Sequence, residues 1–384
     1  MPEIADVVII GAGIIGCSIA YHLMRHEPSL KVVVLEREIM PGMGSTARAT
    51  GGIRHQFSSV PNIRVTQLSL AMYRRFEEEI GYSVAFRPHG YLFVTADPAT
   101  LERFRQNVSL QQVLGVPSEI LSPEEIAALV PGIEYRDLVG GAFCREDGSA
   151  EPAAALQGYA VRARSLGARI LCEQEVVDIM TIHGATSGVR TTRGVFETRI
   201  VVIAAGPHSH DLARLVSLEV PAVPYRRQVS VAVPLPEPDV PLPLTTDADT
   251  GFYIHRTGHA DLLLGGTDKD SRPGYELQVN WGVVETMLAA GVRRIPVLAQ
   301  VQLKRSYVGL RALTPDHNAI LGRVPEPEGL VLACGDNGRG FMHAPAIGLL
   351  LAEEILRGRA ATLDLAPFRL ERFAGAPRGE HSIF

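Results

Sequence analysis

Residues 7–36 of the chain read VVIIGAGIIGCSIAYHLMRHEPSLKVVVLE, and this stretch decides the fold of the N-terminal region. It holds an apolar strand, a turn with Gly11, Gly13 and Gly16, a helix, and a second apolar strand that ends at Glu36. Gly11 permits the tight turn, Gly13 lets backbone approach a pyrophosphate, and Gly16 lets the helix pack closely on the strand. Glu36 stands where such units place the acceptor of the adenosine ribose hydroxyls. The stretch therefore predicts a dinucleotide-binding βαβ unit with phosphates at a helix N-terminus.

The residues before this stretch do not resemble a secretion signal. They include Glu3 and Asp6 but no Lys or Arg, so the positive start that a signal peptide requires is missing. The apolar stretches elsewhere are interrupted before the roughly 20 residues that a membrane-spanning helix needs. We therefore expect a protein that is neither secreted nor embedded in a membrane.

Charge and cysteine content exclude further classes of protein. The 384 residues carry a formal net charge of −5 with a pI of about 6.2, and no basic cluster marks a nucleic-acid surface. The four cysteines stand far apart without a Cys-x-x-Cys pair, which favours neither a zinc site nor a disulfide framework. We expect no metal and a reducing, cytoplasmic location.

The chain is long enough for two domains, and the motifs suggest that these interleave. The alternation of strand and helix that is typical of βαβ units stops after the first unit and resumes later in the chain. This pattern predicts an α/β fold in which a Rossmann-type domain is interleaved with an α+β domain built on a mixed sheet. We assign the first domain to residues 1–83, 147–218 and 318–384. We assign the second to residues 84–146 and 219–317.

Local patterns predict several elements that can be checked. The apolar spacing over Val65–Ile80 indicates one helix, stopped by Gly81, and the alternation over Ala85–Thr95 indicates a hairpin. Prolines over Pro221–Pro243 favour edge strands or linkers, because proline cannot donate to a sheet ladder. Pro345–Leu356 is predicted to be a helix with its proline near the start.

Two further glycine turns bear on which dinucleotide binds. One follows the apolar strand ending at Ala204, in Ala205-Gly206, and the other lies in residues 329–340, which read GLVLACGDNGRG. Glycine turns from distant segments that meet at one sheet edge suit a long ligand such as FAD better than NAD. An NAD-linked dehydrogenase remains the alternative at this point, and a colourless purified protein would favour it.

At these motifs the chain resembles the D-amino acid oxidase superfamily of FAD-dependent amine oxidoreductases. Within it, the chain is similar to the branch with sarcosine oxidase, glycine oxidase and the flavin subunit of L-proline dehydrogenase. The similar motifs run through the whole chain: the N-terminal fingerprint, Gly44-Ser45-Thr46, Gly51-Gly52-Ile53-Arg54, Ala204-Ala205-Gly206, Gly309-Leu310-Arg311, and residues 338–348 (GRGFMHAPAIG).

The resemblance implies which residues bind FAD. The loop Ser45–Arg48 would lie at the pyrophosphate, glycines would let backbone approach the isoalloxazine ring, and backbone of Val176 or Val177 would meet the adenine. The cysteine or histidine by which relatives hold FAD covalently is absent from the corresponding positions, so noncovalent FAD is expected. The predicted FAD-binding residues are Gly11, Gly13, Ile14, Ile15, Gly16, Glu36, Arg37, Gly44, Ser45, Thr46, Arg48, Gly51, Gly52, Val176, Val177, Ala205, Gly206, Gly338, Arg339, Gly340, Phe341 and Met342.

Oxidation of an amine by hydride transfer to flavin N5 requires that the substrate carboxylate be neutralised, and arginine is suited to this by its planar, permanently charged fork. Arg54 and Arg311 match the carboxylate-binding arginines of similar enzymes, and Tyr253 matches a substrate-binding tyrosine. His55 and His343 flank glycine turns and are candidates to face the flavin or accept a proton from the substrate ammonium.

These residues predict FAD-dependent oxidation of a small secondary or N-methyl amino acid such as sarcosine to its imine, with O2 as acceptor giving H2O2. The lysines of similar oxidases are replaced near Leu263 and Met342, which leaves a dehydrogenase with another acceptor open. L-Proline or glycine as substrate, and a flavin-binding subunit that acts only with a partner subunit, also remain open.

Overall fold

The structure is a computed structural model that describes residues 2–233, 242–258, 261–268, 271–375 and 379–381. Its first sheet has six strands, and all neighbours run parallel except the antiparallel pair at one edge. In spatial order from that edge, the strands are Ile320–Arg323, Leu330–Cys334, Val201–Ile203, Val7–Ile10, Val32–Leu35 and Arg169–Leu171.

Both faces of this sheet are buried, which explains why its strands read as continuous apolar runs. Val7 and Ile9 point into a core shared with the helices, whereas Val8 and Ile10 point into a separate core on the other face. The helices that pack together on the first face are Ile14–His26, Pro152–Ser165 and Gly340–Arg357. The other face is covered by a four-stranded sheet of Glu3–Ile4, Val195–Glu197, Ala185–Thr191 and Val176–Ile182.

A second large sheet has eight strands, and its neighbours are antiparallel except for one parallel pair near the middle. The strands in spatial order are Leu303–Leu313, Val223–Ala232, Leu262–Gly265, Tyr253–Arg256, Leu244–Asp247, Tyr91–Thr95, Gly140–Cys144 and Ser118–Leu121. One face packs against the helix Trp281–Arg294 through Val284 and Met287. A short antiparallel pair, Gly52–Ile53 with Gly148–Ser149, lies outside both large sheets.

Of the remaining described helices, Val60–Arg74 packs against Gly340–Arg357 in the first core. Ser122 caps another of these helices with a reciprocal capping box, as its sequence indicates. These α-helices are Val60–Arg74, Phe76–Ile80, Pro98–Val113, Pro123–Leu129 and Ser209–Arg214. The 3-10 helices are Thr46–Arg48, Gly206–His208, Pro296–Gln300, Ala366–Phe368 and Leu370–Ala374.

The α/β fold class with a mixed second sheet is confirmed. The strands of the six-stranded sheet all come from the ranges predicted for the first domain, and those of the eight-stranded sheet from the ranges predicted for the second. The domain boundaries themselves stay a prediction. Within the described part of the chain, no helix is long and apolar enough to cross a membrane.

Several local predictions are wrong in detail. The helix predicted over residues 65–80 is two helices that break at Arg75. The hairpin predicted over residues 85–95 is one strand, Tyr91–Thr95, which pairs with strands from distant parts of the chain. The helix predicted from Pro345 already begins at Gly340, so its N-terminus directly follows a glycine turn.

The proline-rich stretch also departs from expectation. Val223–Ala232 is a ten-residue strand that pairs on both sides, so it is interior to the sheet rather than at its edge. Pro224 lies near the start of the strand, where the Leu303–Leu313 strand pairs on one side and an isolated bridge from Tyr225 to Pro273 lies on the other, so its missing N–H interrupts no continuous ladder. Residues 234–241 of the predicted linker lie outside the described residues.

Candidate active site

One cavity of about 870 Å³ runs from the carboxyl ends of the parallel strands to the open face of the eight-stranded sheet. Ile10, Glu36 and Ala204 line it where three parallel strands end, and Arg227 and Tyr253 line it from the second sheet. In open α/β sheets, ligands bind outside the carboxyl ends of the strands. The cavity therefore joins the predicted dinucleotide site to residues of the predicted substrate domain.

The first glycine turn has the geometry that its motif predicts. Gly11 has a φ of +108°, and a Cβ there would lie 2.6 Å from the carbonyl oxygen of Ala204, so only glycine fits. A Cβ on Gly16 would lie 2.0 Å from the carbonyl oxygen of Gly11, which accounts for the close packing of the helix on the turn. Gly13 is the N-cap of the helix Ile14–His26 and lines the cavity.

Two side chains hold the turn in place. Glu36 Oε2 accepts a hydrogen bond from the backbone N–H of Ala12 at 2.9 Å, and Thr46 Oγ1 accepts one from the backbone N–H of Ile14 at 3.1 Å. Ser45 Oγ in turn donates to the carbonyl oxygen of Leu310 at 2.8 Å, which ties the loop to the second sheet. The loop that was predicted to lie at the pyrophosphate thus contacts the first turn of the nucleotide-binding helix directly.

The third glycine turn opens into the helix Gly340–Arg357. Gly338 has a φ of +83°, and Asp336 Oδ1 accepts a hydrogen bond from its backbone N–H at 3.1 Å. The first backbone N–H groups of this helix have no intrahelical partner, and Gly340, Phe341 and Met342 line the cavity. A second helix N-terminus therefore faces the same space and favours negative charge there.

Arg37, His208 and Asp211 also line the cavity, and they are joined by contacts that include Tyr275. Arg37 Nη2 donates to His208 Nε2 at 3.0 Å, and the His208 ring stacks on the Tyr275 ring with centroids 4.6 Å apart. The Tyr275 hydroxyl donates to Asp211. Val176 and Val177 line the cavity too, and their contact with the adenine stays a prediction.

Arg54 also lines the cavity and is only 6% exposed. Its guanidinium carbon lies 4.3 Å from the centroid of the Phe57 ring and 5.3 Å from that of Phe93, and Nη1 donates to the carbonyl oxygen of Gln56. Burial lowers the pKa of the guanidinium. These contacts fix the orientation of the Arg54 guanidinium in a part of the cavity wall that is shielded from water. An ion pair with a carboxylate is stronger there than in water.

Arg311 and Tyr253 also line the cavity. The Arg311 side chain passes over Gly338, where a Cβ would lie 2.5 Å from its Nε. The Tyr253 ring covers Gly265 on the neighbouring strand, where a Cβ would lie 2.0 Å from the ring. Burial raises the pKa of the Tyr253 phenol, so it is a neutral hydrogen-bond donor at neutral pH.

Neither His55 nor His343 lines the cavity. The carboxylate of Asp147 pairs with His55 Nδ1 at 2.6 Å and also accepts the His55 backbone N–H at 2.9 Å. His343 Nε2 pairs with Thr66 Oγ1 at 2.9 Å, and burial lowers the pKa of its imidazole well below the ordinary value. Their partners hold both rings within the protein rather than toward a ligand.

All predicted FAD-binding residues except Gly16 line the cavity, and their individual roles stay predictions. Sequence reasoning missed Arg227, Tyr91 and His317, which line it too. Arg227 and Val229 are two residues apart in one strand, so they lie on the same face of the sheet. This alternation could have identified Arg227, but the nearby prolines suggested a linker instead of a strand. No cysteine lines the cavity within the described part of the chain, and the four cysteines are free thiols.

The donor set fits FAD. Two helix N-termini, three glycine turns and the Glu36 carboxylate lie along one elongated cavity, as a ligand with a central pyrophosphate, a ribose and two ring systems requires. The Gly13 backbone faces the cavity without a side chain, so phosphate oxygens can reach the helix N–H groups.

Comparison with known proteins agrees with this geometry. Residues 6–354 match the model of the family described as FAD dependent oxidoreductase. The chain is 29% identical to mitochondrial sarcosine dehydrogenase of Homo sapiens over 97% of its length, but it spans only 42% of that protein. It is 26% identical to sarcosine oxidase subunit beta of Rhodobacter capsulatus, covering 96% of the chain and 88% of the relative.

Solved structures show the same relationship. L-Proline dehydrogenase from P. horikoshii superposes with a TM-score of 0.91 at 30% identity, covering 97% of this chain and 99% of that one. Glycine oxidase from Geobacillus kaustophilus superposes with a TM-score of 0.87 at 27% identity, covering 96% and 99%. FAD is therefore the cofactor, as predicted, and the NAD alternative is set aside. The chain belongs to the FAD dependent oxidoreductase family.

Proposed function

We propose that the protein oxidises a small amino acid, most readily a secondary or N-methyl amine such as sarcosine, to its imine. The observation that supports this most directly is the buried Arg54 fork at one end of the cavity, with Arg311 and Tyr253 in the same wall. An α-amino acid bound by its carboxylate at this end would direct its amine and α-carbon toward the third glycine turn. The names of the relatives, which include sarcosine, proline and glycine enzymes, fit the same substrate class.

The chain's contribution is binding and orientation. Arg54 and Arg311 would neutralise the carboxylate, and the Tyr253 hydroxyl would donate a hydrogen bond to it. Phe57, Phe93 and Tyr91 surround the Arg54 guanidinium and exclude water from the ion pair. FAD, which we expect to be held noncovalently, would supply the two-electron acceptor for the hydride lost from the carbon next to the neutral amine.

We propose O2 as the final acceptor, which takes up the two electrons and two protons to give H2O2. In the described part of the chain no lysine lines the cavity, but six arginines do, among them Arg54, Arg227, Arg311 and Arg339. Positive charge of this kind stabilises the superoxide formed on the way to peroxide. A dehydrogenase with another acceptor is the alternative.

The test is anaerobic bleaching of the yellow holoprotein by sarcosine, L-proline and glycine in turn, followed by admission of air. We expect bleaching by at least one of them and rapid recolouring with release of H2O2. Slow recolouring in air would replace the oxidase by a dehydrogenase. Absence of bleaching by every amino acid offered would refute amino-acid oxidation by the isolated chain.

Substitution of the arginines tests the site itself. Arg54→Ala and Arg311→Ala should each raise KM for the amino acid at least about tenfold, or about 1.4 kcal/mol. Arg64→Ala is the matched control, because Arg64 is exposed on the helix Val60–Arg74 and does not line the cavity. Wild-type kinetics in both cavity variants would refute the assignment.

A role as flavin-binding subunit is the second candidate, and one observation favours it. The chain spans less than half of human sarcosine dehydrogenase, and another relative is named as a subunit. Turnover that appears only when a partner chain is added to the purified protein would establish it.

A further inference from the structure

Arg339 occupies an unusual position between the third glycine turn and the helix Gly340–Arg357. It is the N-cap residue of this helix, lines the cavity and is only 6% exposed. Its Nε donates weakly to the carbonyl oxygen of Asp336 at 3.4 Å. Neither Nη1 nor Nη2 has a hydrogen-bond partner among the described residues, although both are buried.

This placement is costly for the folded protein. A cation at a helix N-terminus opposes the positive end of the helix dipole, and burial of an arginine without a paired anion adds a desolvation cost. Burial, with the positive charges of Arg54 and Arg311, lowers the pKa of Arg339 to about 10, so it is still charged at neutral pH. The helix itself gains nothing from this arginine, and a ligand anion would account for it.

Arg339 lies close to the proposed carboxylate site. Its guanidinium carbon is 5.2 Å from the centroid of the Phe57 ring, the same ring that Arg54 covers at 4.3 Å. The two guanidinium groups therefore share one aromatic neighbour at the substrate end of the cavity.

Among the described residues, two carboxylates act on Arg339, those of Glu380 and Asp336, and both attract its positive charge. Glu380 accepts hydrogen bonds from both Ser58 groups and the Ser59 hydroxyl, and Asp336 accepts one from the backbone N–H of Gly338. Neither carboxylate is hydrogen-bonded to Nη1 or Nη2 of Arg339. Arg311 and Arg227 add further positive charge to the same cavity. A substrate whose single carboxylate is held by Arg54 and Arg311 leaves Nη1 and Nη2 of Arg339 without a hydrogen-bonded anion.

The flavin is the other anion that Arg339 could meet, because its pyrimidine ring gains negative charge on reduction. The N-terminal backbone N–H groups of the helix Gly340–Arg357 already offer donors for that charge, and their dipole favours it. The Arg339 side chain, in contrast, extends to Phe57 and toward Arg54. The geometry therefore favours a substrate group over the flavin.

We propose that the preferred substrate carries a second carboxylate, on its side chain or on its nitrogen substituent, and that Arg339 binds it while Arg54 and Arg311 hold the first. The proposed substrate class is thus narrowed from small secondary or N-methyl amino acids in general to those that carry a second carboxylate. This proposal rests on the proposed amino-acid oxidation and narrows its substrate class.

The test measures binding without turnover, from the change in flavin absorbance of the holoprotein on titration with succinate and with butyrate. These two probes differ by a carboxylate in place of a methyl group. We expect wild-type protein to bind succinate at least about tenfold more tightly than butyrate. In Arg339→Gln the ratio of the two dissociation constants should fall to about one, and Arg339→Lys should keep part of the preference because it keeps the charge.

Arg305→Gln is the matched control, since Arg305 is exposed and does not line the cavity, and it should keep the wild-type ratio. Equal binding of both probes by wild-type protein, or an unchanged ratio in Arg339→Gln, would overturn the proposal. A shifted flavin reduction potential in Arg339→Gln with an unchanged ratio would assign the arginine to the flavin instead.

The outcome is separable from that of the proposed function. If N-methylalanine bleaches the flavin and N-methylaspartate does so no more efficiently, the proposed second carboxylate is refuted but the amino-acid oxidation is not. Failure of every amino acid to bleach the flavin would refute the oxidation, whatever the ratio of the probes.

Discussion

The substitution Gly13→Ala separates cofactor binding from folding, and the structure gives the reason. Gly13 has φ −71° and ψ 178°, a conformation that alanine adopts without strain. The nearest atom to a Cβ there is Thr46 Oγ1 at 3.4 Å, an ordinary contact. We therefore expect the apoprotein to lose about 1 kcal/mol or less, the usual cost of alanine in place of glycine at an N-cap.

The cost to FAD binding should be larger, because the added methyl group occupies the cavity wall at the helix N-terminus. It would push the pyrophosphate away from at least one backbone N–H group. A hydrogen bond to a charged group contributes roughly 1.5–3 kcal/mol, so the dissociation constant for FAD should rise roughly 10- to 150-fold.

The assay titrates FAD into apoprotein and follows the quenching of flavin fluorescence, with thermal unfolding of each apoprotein measured in parallel. Gly194→Ala is the control, since a Cβ there meets nothing within 4 Å and Gly194 does not line the cavity. Gly11→Ala should instead destabilise the apoprotein, because its Cβ would lie 2.6 Å from backbone oxygen and its φ is +108°. Tight FAD binding by Gly13→Ala would refute the placement of the phosphates at this helix.

Two further predictions concern a buried histidine and a glycine beneath the site. Burial lowers the pKa of His22 from 6.5 to about 3, and neither ring nitrogen has a hydrogen-bond partner among the described residues. The unfolded chain therefore binds the proton more readily, so His22 reduces the free energy of unfolding as pH falls from 6.5 toward 3. Urea unfolding between pH 7 and pH 4 should show that His22→Leu removes roughly 3 kcal/mol of this loss at pH 4, whereas His26→Gln, at an exposed position, should not. Gly265→Ala should displace the Tyr253 ring, which a Cβ would approach to 2.0 Å, and raise KM as much as Tyr253→Ala does; an unchanged KM in Gly265→Ala would contradict the packing.

The nucleotide half of the molecule could be predicted because its constraints are local. Gly11, Gly16 and Glu36 act within one βαβ unit, and the structure places them as the spacing requires. The continuous apolar runs of Val7–Ile10 and Val32–Leu35 likewise identify strands that are buried on both faces. Such signals depend on the periodicity of a short segment, so distant contacts do not alter them.

The substrate half could not be predicted in the same way, because its pairings join segments far apart in the chain. Tyr91–Thr95 pairs with strands near residues 140 and 245, which no local alternation reveals. The prolines around Val223–Ala232 hid an interior strand and therefore Arg227. His55 and His343 stood next to glycine motifs, yet the partners that turn them away from the cavity, Asp147 and Thr66, come from elsewhere.

This division has a consequence for specificity. The predicted FAD-binding contacts come largely from backbone at glycine turns. A side chain added at these glycines would interfere with the cofactor, so these positions offer little room for variation. The charged side chains at the other end come from separate elements: Arg54 follows a short strand, Arg227 and Arg311 lie on paired strands, and Arg339 caps a helix. Each can change without disturbing the others' backbone, whereas four cations around one space set how many negative charges the bound substrate must supply. If the proposed second carboxylate is correct, substrate choice follows the charge balance at the arginine end of the cavity, and the succinate-to-butyrate ratio measures that balance directly.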